Sequence, residues 1–332
     1  MKKENKVIIF LSVVLVAVFF ISFRLGKYPI NGKELVAILL SKVVHISQFW
    51  TDSQEVILMN VRMPRILLGI LVGACLPAAG ACYQGIFRNP MVSPDLLGAS
   101  SGAAFGAAVA ILMGKGFWGI SISAFIFALF TVWLVCIVGK KAKGNSILGL
   151  VLAGIMISSL FTSATSFLKL IADTEQELPA ITYWLMGSLA GAKKTDVMFA
   201  VIPMITGLVP LFLLRWKMNL LTLGDEEART MGVDVRKIRG IVIACATLIT
   251  AASISVSGMI GWVGLVIPHF ARMLVGCDFR KLLPATVILG SAFMLIVDNV
   301  ARLATTSEIP IGILTSFVGA PFFLYLIMRE GE

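Results

Sequence analysis

Charge is scarce in this sequence: only 14% of its 332 residues are Asp, Glu, Lys or Arg, where a soluble domain carries about a quarter. A water-facing surface of ordinary size is therefore excluded. Histidine is limited to His45 and His269, and the five cysteines (Cys75, Cys82, Cys136, Cys245 and Cys277) form no C-x-x-C or Cys/His pattern. Neither a disulfide framework nor a metal site is indicated, and the thiols read as small packing residues. No G-x-x-x-x-G-K-S/T loop occurs, which excludes P-loop binding of ATP, and neither H-E-x-x-H nor G-x-S-x-G is present to indicate an enzyme. The net charge of +10 is scattered over the ends of apolar runs rather than gathered on a face, so nucleic acid is not the expected partner. Pro/Ser-rich linkers are missing as well, and residues 1–332 read as one domain.

Apolar sequence fills the space that charge leaves. Hydrophobic residues make up 58% of the chain and the mean hydropathy is +0.95. Ten apolar segments, with cores near 7–26, 66–83, 96–113, 117–138, 147–170, 197–214, 240–257, 261–276, 282–300 and 311–328, are bounded by charge, Gly or Pro. Roughly 20 apolar residues in helical form cross a bilayer, because lipid cannot satisfy free backbone N–H and C=O groups. The expected fold class is an all-α, multi-pass integral membrane protein with about ten transmembrane helices. Segment 7–26 follows Lys2, Lys3 and Lys6 but is longer than a signal h-region and lacks a small-x-small site, so it is expected to remain as the first helix. With the N-terminus cytoplasmic, 17 of the 28 basic residues fall on the inner side, including the dense groups at Lys140, Lys141 and Lys143 and at 229–239. That bias places both termini in the cytoplasm.

Two loops are long. The outer one contains Asn31-Gly-Lys-Glu34, a capping-box pattern that predicts an amphipathic helix within about 29–46, running to about His45. The inner one, about 215–239, is polar, and its centre Gly224-Asp-Glu-Glu-Ala-Arg229 predicts a short surface helix. An isolated membrane protein has no use for such a helix, so a cytosolic partner is expected. Gly98, Gly102 and Gly106 recur every four residues, as do Gly69 and Gly73, which predicts close helix–helix approach.

Ionisable groups at membrane depth are few. Asp298 is the one acidic residue well inside an apolar segment, and Arg302 one turn on predicts a local ion pair. Nothing here resembles the carboxylate relay of an ion-coupled secondary transporter, the rival reading of another class. Pro90 and Pro94 interrupt the stretch between segments two and three, and Gly258, Gly261 and Pro268 interrupt a second stretch towards the opposite face. Broken segments at corresponding places in two halves suggest an inverted repeat.

These stretches resemble the permease family of type II ABC importers for ferric siderophores, haem and vitamin B12. The blocks that carry the resemblance are Arg62-Met-Pro-Arg65, Gly80-Ala-Cys-Tyr-Gln84 with Arg88-Asn-Pro90, and Ser93-Pro-Asp-Leu-Leu-Gly98. Leu223-Gly-Asp-Glu-Glu-Ala228, Gly261-Trp-Val-Gly-Leu-Val-Ile-Pro-His269, Asp298-Asn-Val-Ala-Arg302 and Pro310-Ile-Gly-Ile-Leu-Thr315 follow in the same order. The resemblance implies a non-catalytic subunit of the inner membrane of a prokaryote. It would form a homodimer above two ABC ATPases, which bind the ATP and Mg, and an extracytoplasmic binding protein would deliver the cargo. This chain itself would need no cofactor.

The coupling element of the family maps onto Leu223, Gly224, Asp225, Glu226, Ala228 and Gly232, expected to dock in a groove of the ATPase. Outer-face arginines that hold acidic residues of the binding protein map onto Arg62, Arg65 and Arg302, expected to be exposed. A cytoplasmic gate falls near Asn145, Ser146, Ile147 and Leu148. His269, within a Pro-His signature, is expected to be a structural hydrogen-bonding residue rather than a ligand. The expected cargo is an iron chelate, ferric siderophore or haem; vitamin B12 or an oxyanion such as molybdate is the alternative.

Overall fold

The computed structural model describes residues 3–330 except 43, 45 and 142–145. Among the described residues the regular structure is entirely helical. In order it comprises α1 (Lys3–Arg24), α2 (Gly32–Ser41), α3 (Asp52–Val56), α4 (Met63–Phe87), α5 (Ala99–Leu112), α6 (Phe117–Lys141) and α7 (Ser146–Ile171). There follow α8 (Glu177–Met186), α9 (Lys194–Leu223), α10 (Asp225–Thr230), α11 (Val235–Ser257), α12 (Val263–Val275), α13 (Phe279–Leu303) and α14 (Ile311–Glu330). A π-helical turn, Ile57–Arg62, joins α3 to α4, just ahead of Pro64, whose missing N–H cannot complete the regular ladder.

Seven helical stretches are long and apolar enough to cross a bilayer, 52–87 counting as one of them. Helices α5, α12 and α14 are the shorter apolar ones, and together these ten coincide with the ten apolar segments of the sequence. Helix α5 has 14 residues and α12 has 13. At 1.5 Å per residue each is about 20 Å long, short of the ~30 Å hydrocarbon core. Each is preceded by the Pro/Gly break seen in the sequence. Before α5 the chain makes a 3-10 turn at Pro94–Leu97 with Gly98 left-handed; before α12, Gly258 and Trp262 both have φ of 67°. Trp262 is a bulky residue in a conformation that L side chains rarely adopt, and its Cβ packs against Gly319 of α14.

Helix α4 is the axle, with 21 buried residues among its 25. Its small residues let neighbours come to backbone contact. A Cβ at Gly73 would stand 2.5 Å from the Gly290 carbonyl oxygen of α13, and one at Gly80 only 1.7 Å from that of Gly264 in α12. The predicted glycine spacing on α5 has the same role, since Gly102 and Gly106 lie against Phe127 and Ser123 of α6. By contrast, Leu213 of α9 and Leu160 of α7 are among the many large apolar side chains that remain exposed. Apolar exposure of that extent belongs in lipid or against another subunit.

The amphipathic outer helix forms where the pattern placed it. The Asn31 backbone N–H donates to Glu34 Oε2 at 2.9 Å, completing half of the capping box. It ends at Ser41 rather than near His45, and position 45 lies outside the described residues. Leu35 and Ile38 close a second apolar cluster with Phe23, Trp50, Leu58, Ile66 and Leu295. Helix α8, at the same end of the molecule, has no counterpart among the predicted segments.

Candidate functional site

Helix α10 projects at the end of the molecule where α9 finishes and α11 starts. Leu223 and Glu226 are exposed, as is Gly232, whose φ of 78° turns the chain out of the helix. Of the other three candidates, Gly224 and Ala228 face inward and Asp225 is half-buried. Ala228 is fully buried and Gly224 is buried, so in this conformation they seat α10 on its own chain rather than meet a partner. Asp225 is ion-paired within the chain: Arg239 Nη2 donates to its Oδ1 at 2.7 Å, and Arg88 Nη2 binds the same oxygen. Arg88 is the left-handed residue that ends α4, and its Nε also donates to the Leu221 carbonyl at 3.1 Å. One carboxylate thus ties α10 to α4 and α11. Burial opposes ionisation of Asp225. The hydrogen bond from Arg239 and the charges of Arg239, Arg88 and Arg229 outweigh it and hold the carboxyl below its usual range.

A neighbouring capping site secures the end of α9. Asp278 accepts from Asn219 Nδ2 at 2.7 Å and from Arg280, and Asn219 Oδ1 accepts from the Phe279 N–H. The Arg280 hydrogen bonds pull the Asp278 carboxyl far below the carboxylate range, against the effect of burial.

At the opposite end the three arginines expected on the surface are buried, and that expectation is corrected here. Arg62, Arg65 and Arg302 are 3%, 6% and 6% exposed. Arg62 donates to the carbonyl oxygens of Phe23, at 2.5 Å, and Tyr28, closing the end of α1. Arg65 clamps Asp298 at 2.8 Å and Glu308 at 2.8 Å. Arg302 lies 3.3 Å from Asp298, as the i,i+4 spacing predicted, and also reaches Asn299 and the Ser22 carbonyl. A guanidinium offers five donors in a rigid fork. At the edge of an apolar bundle those donors find carbonyls and carboxylates of their own chain before any partner's. The sequence showed the Asp298–Arg302 pair but gave no signal that Arg65, 233 positions away, completes it.

Between the two ends, Gln84 joins the broken stretches. Its amide donates to the Val92 carbonyl at 3.1 Å and the Leu265 carbonyl at 3.3 Å, and its oxygen accepts from Arg272 at 2.6 Å. Pro94 packs against Gly264. The two breaks therefore meet each other beside α4, an arrangement the linear sequence does not show. Of the gate candidates, Asn145 lies outside the described residues, Ser146 opens α7, Ile147 packs against the core and Leu148 is exposed. His269 faces Phe322 edge-on at 6.4 Å. Among the described residues no group of three metal-binding side chains occurs.

Residues 14–329 match the FecCD transport family. The chain is 40% identical, over 98% of its length and 96% of the relative's, to the molybdate import system permease protein MolB of Haemophilus influenzae. It is 41% identical to a probable iron chelatin transport system permease protein of Helicobacter pylori, over 84% of each. Further relatives are named as cobalamin and hemin permeases. A solved structure described as an inward-facing conformation of a metal-chelate type ABC transporter superposes with a TM-score of 0.87 at 39% identity, covering 98% of this chain and 99% of that one. Seven helices long enough to cross a membrane, three shorter apolar ones and an external helix tied to the central one are the arrangement of a permease, and this chain belongs to the FecCD transport family of ABC importer permease subunits.

Proposed function

We propose that two copies of this chain form the pathway of an ATP-driven importer for an iron chelate, ferric siderophore or haem. Both termini and α10 face the cytoplasm, where each copy rests on an ABC ATPase that binds ATP and Mg, and an extracytoplasmic binding protein delivers the cargo at the α2 end. The observation that carries the reading is the Asp225 clamp. An exposed helix fastened through one carboxylate to the axle α4 and to α11 can transmit a push from below to the helices around it. Leu223, Glu226 and Gly232 would contact the ATPase, while Asp225, Gly224 and Ala228 would transmit. Ser146, Ile147 and Leu148, at the same end, would form the inner gate, together with Asn145, which lies outside the described residues.

Docking at the other end takes a different form from the expected one. Arg62, Arg65 and Arg302 would support the binding protein's seat from beneath, by holding the 304–310 loop and the end of α1 in place. The exposed apolar faces of α7 and α14 suit contact with the second copy.

Molybdate is the second reading, favoured by the relative that covers 98% of the chain. Uptake of labelled ferric siderophore, haem, cobalamin and molybdate, measured in parallel in cells with and without the gene, separates these cargoes. Loss of one iron chelate alone supports the first reading, and loss of molybdate alone replaces it with the second.

A further inference from the structure

Helices α6 and α11 are separated, at the α10 end, by a cavity of about 750 Å³. Its floor is apolar: Leu129, Val132 and Trp133 from α6 face Ile243 from α11. Its rim is basic, formed by Lys140, Arg229, Arg236 and Arg239. The one acidic residue lining it is Asp225, whose carboxylate is already shared between Arg88 and Arg239. Lys140 and Arg236 make no ion pair among the described residues, and the Nε of Arg239 is buried without a hydrogen-bond partner. A buried N–H of a charged group left open in this way calls for an acceptor. Glu226 and Glu227 of α10 are exposed and do not line the cavity.

We propose that this cavity holds an anionic phospholipid of the same leaflet, its phosphate among Lys140, Arg236 and Arg239 and an acyl chain along Trp133. Three features select a lipid over a free anion or a protein. The walls are predominantly apolar, the cavity opens sideways at Trp133, which is 56% exposed, and seven residues of helix separate Trp133 from Lys140. That is about 10 Å, the depth from a headgroup to the upper acyl chain, and basic pockets between membrane helices suit anionic headgroups. The lipid would buttress α10 by joining α6 to the residues that grip Asp225. The inference rests on the proposed orientation, with α10 on the cytoplasmic side, but its binding test needs neither ATP nor cargo, so the two can fail separately.

The test uses the full chain with its ATPase in nanodiscs doped with brominated phosphatidylglycerol or brominated phosphatidylcholine, and reads tryptophan quenching. The brominated anionic lipid should quench more than the zwitterionic one, by about the share that Trp133 contributes among the chain's six tryptophans. Trp133→Phe should abolish the excess, and so should Lys140→Gln with Arg236→Gln, while Lys140→Arg with Arg236→Lys keeps it. Equal quenching by the two lipids, or an excess that survives the double glutamine variant in a normally folded sample, overturns the proposal. Displacement of the excess by millimolar inorganic phosphate or molybdate would show a free-anion site and overturn it as well.

Discussion

Arg65 carries the clearest prediction at the scale of single residues. Its guanidinium is nearly all buried and meets both Asp298 and Glu308. Removing one partner of a buried ion pair leaves an uncompensated charge and costs about 3–5 kcal/mol. Arg65→Ala should therefore lower the thermal midpoint of the detergent-solubilised protein sharply, and Asp298→Asn in the same background should recover part of the loss. A melting curve unchanged by Arg65→Ala would remove the buried-clamp account. The sequence did reveal Arg62, Arg65 and Arg302 as special, because arginines beside apolar segments are conspicuous. It did not reveal where they point. Exposure depends on which distant carbonyls and carboxylates the fold brings near, and Phe23, Tyr28 and Glu308 become neighbours only in three dimensions. Asp225 titrates in the opposite setting, at the molecular surface. Its folded pKa lies below the unfolded value near 3.9, so its contribution is present above that value and is lost as pH falls through the lower folded one. Association of permease and ATPase should accordingly be insensitive to Asp225 from pH 8 down to about 5.

At the scale of elements, the proposed coupling gives contact to α10 and transmission to α4. Glu226 is exposed and Asp225 is clamped, so their variants should differ. Glu226→Lys should weaken co-purification of the ATPase while leaving the permease fold intact. Asp225→Asn should leave co-purification near normal and lower cargo transported per ATP hydrolysed. Identical behaviour of the two variants would count against the division. The axle is tested at Gly73, where a Cβ would approach the Gly290 carbonyl at 2.5 Å. Gly73→Ala should cost about 1–3 kcal/mol through overpacking, read as a lower thermal midpoint, whereas Gly116→Ala, with open space around it, should be neutral. The ten apolar segments and the helix at 225–230 were legible in the sequence, since apolar length and polar interruption are local properties. Helix α8 was not, because its ten residues are too few to span a membrane and follow α7 closely. The meeting of Pro94 with Gly264 was equally hidden, since each break could be read alone but their direct contact beside α4 could not.

At the scale of the whole molecule, the proposed importer has an external engine, a coupling helix, a central axle and a pathway between two copies. Among the described residues no carboxylate relay crosses the bundle: Asp298, the acid inside the apolar segments, is neutralised by Arg65 and Arg302 near one end. That disposition favours a permease driven from outside over an ion-coupled carrier. Reconstitution tests this central claim most directly. The chain is placed in proteoliposomes with its ATPase and binding protein, and uptake of the labelled cargo is followed with ATP on the α10 side, or with imposed proton and sodium gradients and no ATP. Uptake should require ATP and the ATPase and ignore collapse of the gradients. Uptake driven by a gradient in the absence of the ATPase would contradict it.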